Sequence, residues 1–303
     1  MRIRPANEDH DLTVIQSLYD EAYPEPAPKA AQIVKNQQVR VAETDDGEVL
    51  GFRAVSSTGG VWIGVAADHR RKGIGRLLMA DALEYASSLG LSELTSRVLE
   101  NSAGKAFCDQ FQFKPYVHAV NRALDLTNWD DSALALKREQ AQQAGIQFKT
   151  YADFGDSPEN QHRLYMLNKT LSATIPRDEP QEFIAFETYV QQRLANKVLP
   201  HEGIFIALDG DEWIGMSQIS LEEGYAFHHM TGVLPAYRGR DIAQALKSLT
   251  LRFAQLNHQK IVRTFNDVGN APMIAVNEIA GFREGQRFFL VRRKPILEPT
   301  NNL

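Results

Sequence analysis

The chain has 303 residues, of which 43% are hydrophobic, and its formal net charge at pH 7 is −5. This length favours two domains, each able to bury its own core, and the acidic balance argues against a general nucleic-acid-binding protein, which would carry a basic face. Because Cys108 is the single cysteine, no internal disulfide can form, which excludes the disulfide-stapled secreted folds.

Targeting segments and metal sites are not expected. The N-terminus becomes polar within a few residues, unlike a signal peptide, and no apolar run approaches the length that crosses a bilayer. No Cys/His cluster has zinc-ligand spacing, and the adjacent His228 and His229 would point to opposite faces of a strand. We therefore expect a cytoplasmic protein with no metal and no nucleic-acid or membrane partner.

The first half of the chain alternates strand and helix patterns. Predicted strands span residues 2–4, 39–42, 49–55, 61–66, 94–99 and 117–126, and predicted helices span residues 9–23, 74–89 and 102–111. The helix over 74–89 has an apolar face formed by Ile74, Leu77, Leu78, Ala82, Tyr85 and Leu89. This order predicts a mixed α/β domain.

The second half repeats this order. Predicted strands span residues 148–151, 204–208, 213–219, 225–233, 261–265 and 287–292, and predicted helices span residues 159–171, 181–197, 242–256 and 272–280. The apolar face of the helix over 242–256 consists of Ile242, Ala245, Leu246, Leu249, Phe253 and Leu256.

Direct sequence similarity supports an internal duplication. Residues 64–78 match residues 232–246, which places Arg70 and Arg238 168 positions apart. Two later pairs, Asn101 with Asn270 and Phe113 with Phe282, are each 169 positions apart. A period this long does not belong to a solenoid and indicates a duplicated domain.

The boundary between the copies falls in a polar, helix-favouring stretch. The turn around Asp130, Asp131 and Ser132 offers a helix cap, and Gly145 offers a stop. We predict an N-terminal domain over residues 1–126, a connecting helix or linker over 127–146 and a C-terminal domain over 147–303.

The segment from Arg70 to Gly75 lies where a strand turns into a helix. Gly73 and Gly75 let the backbone approach a ligand closely, and the free N–H groups at a helix start favour an anion. Together with Arg70, Arg71 and Lys72, these groups suit a pyrophosphate such as that of coenzyme A. The plainer alternative is a helix start with a solvated basic turn.

These motifs resemble those of the GNAT acetyltransferases. Arg70, Gly73 and Gly75 match the signature Gln/Arg-x-x-Gly-x-Gly/Ala, whereas Gln112 stands in place of the glycine in the later Gly-Phe ending. The second copy keeps Arg238 and Ala243 but has Asp241 at the signature glycine, with Gly239 two places earlier. Its later segment is fuller, with Asn266, Asn270, Met273, Asn277 and Gly281-Phe282. The arrangement is similar to the tandem GNAT branch that mycothiol synthase typifies.

The resemblance implies two tandem GNAT domains that bind acetyl-CoA. The implied cofactor-binding residues are Val65, Arg70, Arg71, Lys72, Gly73, Ile74, Gly75, Arg76 and Asn101 in the first copy, and Val233, Arg238, Gly239, Arg240, Asp241, Ile242 and Ala243 in the second. We expect Asp241 to cap the following helix; the alternative, a carboxylate facing the phosphates, would oppose binding strongly.

Candidate groups for the transfer step are His229, Asn270 and Asn277. The family often places a tyrosine on the last helix as an acid, but the aligned residues here are Cys108 and Asn277, and Cys108 has the character of a small core residue. For the base, His229 is predicted to share a strand face with Thr231 and Val233, and Glu222, Glu223, His228 or water are alternatives.

The implied function is N-acetyl transfer from acetyl-CoA to a primary amine of a small molecule or peptide by direct attack, with the chemistry in the C-terminal half. A non-catalytic CoA-binding or regulatory protein is the alternative, and in a third reading one half completes the acceptor pocket of the other. Acceptor specificity is assigned to the variable segments 19–34 and 171–200.

Overall fold

The computed structural model describes residues 1–22, 33–35, 37–176 and 182–294. The chain forms two compact units. The first unit comprises Met1–Tyr116 together with the segment that begins at Phe289, and the second unit comprises Val117–Phe288. No helix within the described residues is long and apolar enough to span a bilayer.

The first unit packs helices on both faces of an antiparallel sheet with the order β1-β2-β3-β4. Ile15 and Leu18 pack on Val41 and Phe52 in one buried cluster, and Ile74 and Leu78 belong to another. Its elements are β1 (Arg2–Pro5), α1 (Glu8–Ala22), β2 (Gln38–Glu43), β3 (Val49–Val55), β4 (Val61–Val65), α2 (Ile74–Ser88), β5 (Leu94–Leu99) and α3 (Ala103–Gln110).

The second unit repeats the arrangement. Its elements are α4 (Ser132–Gln143), β7 (Ile146–Thr150), α5 (Pro158–Ser172), α6 (Phe186–Tyr189), β8 (Ile204–Asp209), β9 (Glu212–Glu222), β10 (Tyr225–Val233), α7 (Ile242–Leu256), β11 (Ile261–Asp267) and α8 (Ala271–Ile279). Strands β7 to β10 are antiparallel neighbours, and β11 runs parallel to β10. The predicted mixed α/β fold is confirmed.

Two long strands depart from the order in the sequence. β6 (Lys114–Asp125) ends the first repeat but pairs antiparallel with β11, with Asp125 opposite Ile261 and Ala119 opposite Asp267. β12 (Arg283–Arg293) lies between β5 and β6 in the sheet order. The compact units therefore divide the chain differently from the repeats, and the domain bounds at residues 126 and 147 stay a prediction about the repeats.

Matching hydrogen bonds show that both copies use the same local structure. The Arg70 Nε donates to the carbonyl of Val65 at 3.0 Å, and the Arg238 Nε donates to the carbonyl of Val233 at 3.1 Å. At the other end of each repeat, the N–H of Phe113 bonds the carbonyl of Cys108, and the N–H of Phe282 bonds that of Asn277, both at 3.0 Å. The offsets of 168 and 169 positions found in the sequence are thus offsets between equivalent backbone positions.

Some predicted helices and faces were wrong. The helix expected over residues 181–197 is instead the short α6 followed by a π turn, Val190–Leu194, and Gln181 lies outside the described residues, as does Tyr23 at the end of the predicted helix 9–23. Leu256 is 74% exposed and Leu89 is 45% exposed, because each lies at the end of its helix beyond the sheet it packs on.

The lost glycine at Gln112 leaves the backbone unchanged. Gln112 has φ 61° and its counterpart Gly281 has φ 93°, so both adopt the left-handed conformation that ends the preceding helix. A Cβ built on Gly281 would lie 3.3 Å from the Leu124 Cδ1. The backbone conformation of the motif is therefore preserved, although Gln112, which is not a glycine, is strained by its positive φ.

We predict that Gln112→Gly raises the free energy of unfolding by about 1 kcal/mol, because glycine adopts this φ without a Cβ penalty. Gly281→Gln should lower it by about 1 kcal/mol or more for the converse reason. Urea unfolding followed by circular dichroism measures both. Gln110→Gly is the matched control: Gln110 is the last residue of α3 and has no positive φ, so glycine there should destabilise. A stabilising effect at both positions would contradict the explanation.

Candidate functional site

A cavity with a volume of about 320 Å³ lies in the second unit beside the C-terminal end of strand β10. Strands β10 and β11 pair in parallel at Ala226–Val262 and Phe227–Arg263, after which the register of β10 against β9 shifts between His228 and Thr231. This β-bulge bends β10 just before the residues that line the cavity, Met230–Val233.

The cavity, which we call the loop cavity, lies at the end of a strand and the start of two helices. It is lined by Leu171 and Thr174–Pro176 after α5, Met230–Val233 of β10, Tyr237–Gly239 and Asp241–Gln244 around the start of α7, and Asn270, Pro272, Met273 and Val276 of α8. The first N–H groups of α7 have no carbonyl partner within the helix, and its dipole favours a negative charge at this end. The predicted residues Val233, Arg238, Gly239, Asp241, Ile242, Ala243 and Asn270 are brought together here.

The loop before α7 contains two residues in the left-handed conformation, Gly239 (φ 74°) and Asp241 (φ 58°). The corresponding loop before α2 also contains two, Arg71 (φ 63°) and Gly73 (φ 89°). Each copy thus places its glycine at a different one of the same two positions. This explains the displaced glycine of the second copy, which keeps the loop conformation although the signature residue is Asp241.

The two signature arginines are exposed residues whose guanidinium groups bond to groups of their own copy. The Arg238 guanidinium bonds the carbonyl of Val233 and, at 2.7 Å, the hydroxyl of Thr174, and the Arg70 guanidinium bonds the carbonyl of Val65 and, at 2.5 Å, the carboxylate of Glu21. Each arginine therefore joins the strand end to the segment at the end of the first helix of its copy. These arginines shape the loop, and an anion there would meet mainly backbone N–H groups.

The expected capping role of Asp241 is wrong. Asp241 precedes α7, but its side chain makes no capping hydrogen bond. Its carboxylate instead pairs with the Lys137 Nζ at 2.8 Å and accepts a bond from the Gln244 Nε2 at 3.1 Å. A left-handed backbone directs the side chain away from the first N–H groups, and Lys137, on α4, neutralises the charge.

In both loops the apolar residue at the helix start is buried and the basic residues around it are exposed. Ile74 and Ile242 are buried at the first positions of α2 and α7, whereas Arg71, Lys72, Arg76 and Arg240 are exposed. The Arg240 guanidinium lies over the Tyr237 ring, 5.6 Å from its centroid. These cations remain available to solvent on the rim of each loop.

The predicted asparagines have different positions. Asn270 caps α8 by accepting a bond from the N–H of Met273 at 3.4 Å, and it lines the loop cavity. In the first unit Ser102, not Asn101, caps the equivalent helix α3. Asn277 is fully buried and donates to the Asn266 Oδ1 at 2.7 Å, so it lies in the interior and does not line the cavity.

His229 does not share a strand face with Thr231, contrary to the alternation expected. The bulge brings His228 and Thr231 onto one face, where both contact the Ser217 hydroxyl, and His229 bonds the Ser220 Oγ at 2.9 Å instead. Burial and the positive charge of Arg193 lower the pKa of His229 to about 4. Its imidazole is therefore neutral near pH 7.

A buried polar cluster that sequence reasoning missed lies behind the bulge. The Lys247 Nζ contacts the His228 Nδ1 at 3.3 Å, and the His228 Nε2 contacts the hydroxyls of Thr250 at 3.0 Å and Ser217 at 3.2 Å. Lys247 and His228 are each 1% exposed. Burial lowers the pKa of Lys247 to about 7, and burial, with the neighbouring Lys247, lowers that of His228 well below its usual value. One feature of the sequence could have revealed this cluster: Lys247 follows Leu246, a residue on the apolar face of the amphipathic helix predicted over residues 242–256.

The first unit has a bulkier residue at one equivalent position. The Phe107 ring of α3 lies 3.1 Å from the site of a Cβ on Gly75. The hydrogen bonds at the helix ends make Val276 the counterpart of Phe107, and Val276 lines the loop cavity. Cys108, beside Phe107, is buried, and burial raises the pKa of its thiol to about 12. An acid role for this thiol is therefore not supported, and it belongs to the core as expected.

Family models match both copies. Residues 35–115 match the model described as "Acetyltransferase (GNAT) domain", and residues 164–282 match "Acetyltransferase (GNAT) family". A comparison with curated proteins finds no match. Among the described residues, no group of three or more His, Cys, Asp or Glu side chains could hold a metal ion.

Solved structures of similar fold span the whole chain. A GCN5-related N-acetyltransferase from Sphaerobacter thermophilus has a TM-score of 0.69 at 16% identity, with 98% of this chain and 96% of that chain covered. A tandem GNAT protein from the clavulanic acid biosynthesis pathway has a TM-score of 0.68 at 21% identity, with coverages of 97% and 98%. A glucosamine N-acetyltransferase region of a fungal multi-domain β-N-acetylglucosaminidase has a TM-score of 0.71 at 15% identity, with 96% of this chain but 38% of that chain covered. At these identities the likeness establishes the fold.

We predict that Lys247 makes the stability of the protein pH-dependent. Its pKa is about 7 in the folded state, against 10.5 for a lysine in water, so between these pH values the unfolded chain binds more protons and stability rises with pH. The slope approaches about 1.4 kcal/mol per pH unit. Urea unfolding at several pH values from 6.5 to 9.5 should show this rise, and Lys247→Met should remove it.

The control is Lys197→Met, which changes an exposed lysine of the same unit and should keep the wild-type slope. A wild-type protein whose stability is flat over this range would show that Lys247 keeps its proton in the folded state.

Proposed function

Because the chain belongs to the GNAT acetyltransferase family, with two family domains in tandem, we propose that it is an N-acetyltransferase using acetyl-CoA. The acceptor is a primary amine of a small molecule or peptide, which attacks the thioester directly. The lone thiol of Cys108 fits a reducing compartment, and the proposal includes a cytoplasmic location.

The loop cavity is the observation that carries this proposal. Its floor is the start of α7, where unpaired N–H groups and two left-handed residues form a concave anion site. Ala243 has a small side chain that leaves room for a ligand beside the helix. These features fit the pyrophosphate of acetyl-CoA, and the thioester of that substrate supplies the acyl group.

We place the transfer step in the second unit. There Val276 leaves the cavity open beside Ala243, whereas in the first unit the Phe107 ring packs directly on Gly75. Of the three candidate groups for the transfer step, Asn270 is the one that lines the cavity, so it is proposed to contact the bound substrate. CoA binding by residues 70–76 of the first unit stays a prediction, as does the role of His229.

A non-catalytic CoA-binding protein is the second candidate. Neither copy has a tyrosine at the position where the family often has an acid, and Cys108 and Asn277, which stand there, are both buried. If this candidate is right, acetyl-CoA binds but no amine is acetylated. Both candidates therefore predict that acetyl-CoA binds, and only the acetyltransferase predicts that an amine is acetylated.

The test exchanges one side chain between the copies. We predict that the full chain binds acetyl-CoA in calorimetry and acetylates at least one member of a panel of polyamines, amino sugars and peptide N-termini, with release of CoA thiol. Val276→Phe should fill the loop cavity and lower turnover at least 100-fold, whereas Phe107→Val should not lower it. Asn270→Ala should lower turnover more than Asn101→Ala. Loss of turnover in Gly73→Asp and Asn101→Ala, with Asn270→Ala silent, would place the chemistry in the first unit.

Lys137 should affect acetyl-CoA affinity through Asp241. Lys137→Met exposes the Asp241 carboxylate to the phosphates, so we predict about fivefold weaker binding, corresponding to ~1 kcal/mol for a half-exposed pair. Asp241→Gly should bind as well as wild type or better. In the Asp241→Gly background, Lys137→Met should have no further effect in calorimetry; an equal loss there would show that Lys137 contacts the phosphates itself.

A further inference from the structure

A continuous chain of polar side chains leads from the loop cavity into the interior of the second unit. Thr231, which lines the cavity, has its hydroxyl 2.9 Å from the Ser217 Oγ. The Ser217 Oγ is 3.2 Å from the His228 Nε2, and the His228 Nδ1 is 3.3 Å from the Lys247 Nζ. Each of these separations is within hydrogen-bonding reach, so four residues connect the cavity to a buried amine.

The amine at the inner end has no ion-pair partner among the described residues. From β10, His228 contacts it, and the segment after α8 presents the Phe282 ring, 5.4 Å from the Nζ. β9 contributes the neutral Ser217, and the Arg138 guanidinium of α4 bonds Ser248, the residue after Lys247. The groups in contact with the amine are therefore the His228 imidazole and the Phe282 ring, neither of which neutralises an ammonium as a carboxylate would.

Packing alone does not require an amine at this place. Helices α2 and α7 each have 15 residues, and the position of Lys247 in α7 is that of Met79 in α2. Met79 is 3% exposed, so a methionine fills the same core position. A buried lysine that costs stability, where the copy uses methionine, indicates a role in chemistry.

The hydrogen bonds that link Thr231, Ser217, His228 and Lys247 can be donated in either of two directions. With Lys247 protonated, its Nζ donates to the His228 Nδ1, and the His228 Nε2–H donates to Thr250 or Ser217. With Lys247 neutral, the His228 Nδ1–H donates to the Nζ, and the Nε2 accepts from Ser217, which accepts from Thr231. The proton on Lys247 is thereby coupled to the direction of the Thr231 hydroxyl at the cavity.

We propose that Thr231, Ser217, His228 and Lys247 form a proton relay that deprotonates the acceptor ammonium; this rests on the proposed function. The Thr231 Oγ takes a proton from the ammonium and passes its own to the Ser217 Oγ. Ser217 passes its proton to the His228 Nε2, and the Nδ1 proton moves to neutral Lys247. The amine is then free to attack, the second nitrogen proton reaches the departing thiolate, and Lys247 returns its proton between turnovers.

The relay is poised for neutral pH. Burial lowers the pKa of Lys247 to about 7, so a neutral amine is available to accept a proton there. His229, on the opposite strand face and with a pKa of about 4, stays neutral through this range. The rate should therefore rise with pH and level off above the pKa of Lys247.

The kinetic test uses the panel amine with the highest turnover. In the wild type, kcat should rise from pH 6 to 9 with an inflection near 7. Lys247→Met should lower the maximal kcat about 100-fold, remove this inflection and leave the KM for acetyl-CoA unchanged. Thr231→Val, which removes the hydroxyl of this cavity-lining residue, should do the same, and Thr231→Ser should restore both rate and inflection.

The matched control is Thr250→Val. Thr250 contacts the His228 Nε2 at 3.0 Å and the Ser217 Oγ at 3.4 Å, but its hydroxyl donates to backbone carbonyls within α7. Because Ser217 contacts His228 directly and Thr250 does not line the cavity, the relay does not need Thr250 and this variant should keep the inflection. Wild-type kcat and pH dependence in Lys247→Met would overturn the relay, and so would loss of rate in Thr231→Ser equal to that in Thr231→Val.

A nuclear magnetic resonance titration separates failure of the relay from failure of the proposed function. In protein labelled with ¹⁵N-histidine and ¹³C-lysine, the His228 tautomer should change at the pH where Lys247 titrates, and Lys247→Met should abolish the change. If no amine is acetylated but the tautomer follows Lys247, the proposed function fails and the coupled hydrogen-bond chain stands. A tautomer that ignores Lys247 overturns the relay whatever the activity.

Discussion

The β-bulge between His228 and Thr231 is the constraint on which the site of the second unit depends. β10 pairs with β11 at Ala226 and Phe227, its extra residue follows between His228 and Thr231, and the end of the strand, Met230–Val233, lines the loop cavity. The same shift places His228 and Thr231 on one face, where Ser217 joins them, and moves His229 to the other. Cavity and polar chain are thus two consequences of one irregularity in a strand.

The loops before α2 and α7 show how one backbone is kept by different residues. Two left-handed positions are needed, and each copy has a glycine at one of them. At the other position, Arg71 or Asp241 tolerates the strain because the arginine of the signature fixes the loop to the strand end. In the second unit the resulting negative charge is paired with Lys137 of α4, so the connecting helix contributes directly to the electrostatics of the site.

The two copies have diverged in their interiors more than in their loops. Met79 makes the first unit apolar where the second has Lys247, and the bulky Phe107 of the first unit corresponds to the smaller Val276 of the second. The loop of the first unit matches the family signature better, yet Phe107 packs against Gly75 there, whereas Val276 lines the loop cavity of the second unit. The glycines of the signature therefore indicate the backbone conformation of the loop. They do not indicate the space for a ligand, because that space depends on side chains from other elements.

The sequence alone determined the duplication, the mixed α/β order of each copy and the positions of both loops, because these follow from local spacing and direct similarity. It could not show that β6 pairs with β11, since strand pairing is a long-range choice. Alternation failed at His229 because a bulge is invisible in a period-two pattern. Asp241 does not cap α7 because its carboxylate pairs with Lys137, 104 positions away, and Lys247 joins the buried polar cluster because the fold packs it against His228. Tertiary structure decided which polar groups meet, because that depends on contacts between residues far apart in the chain.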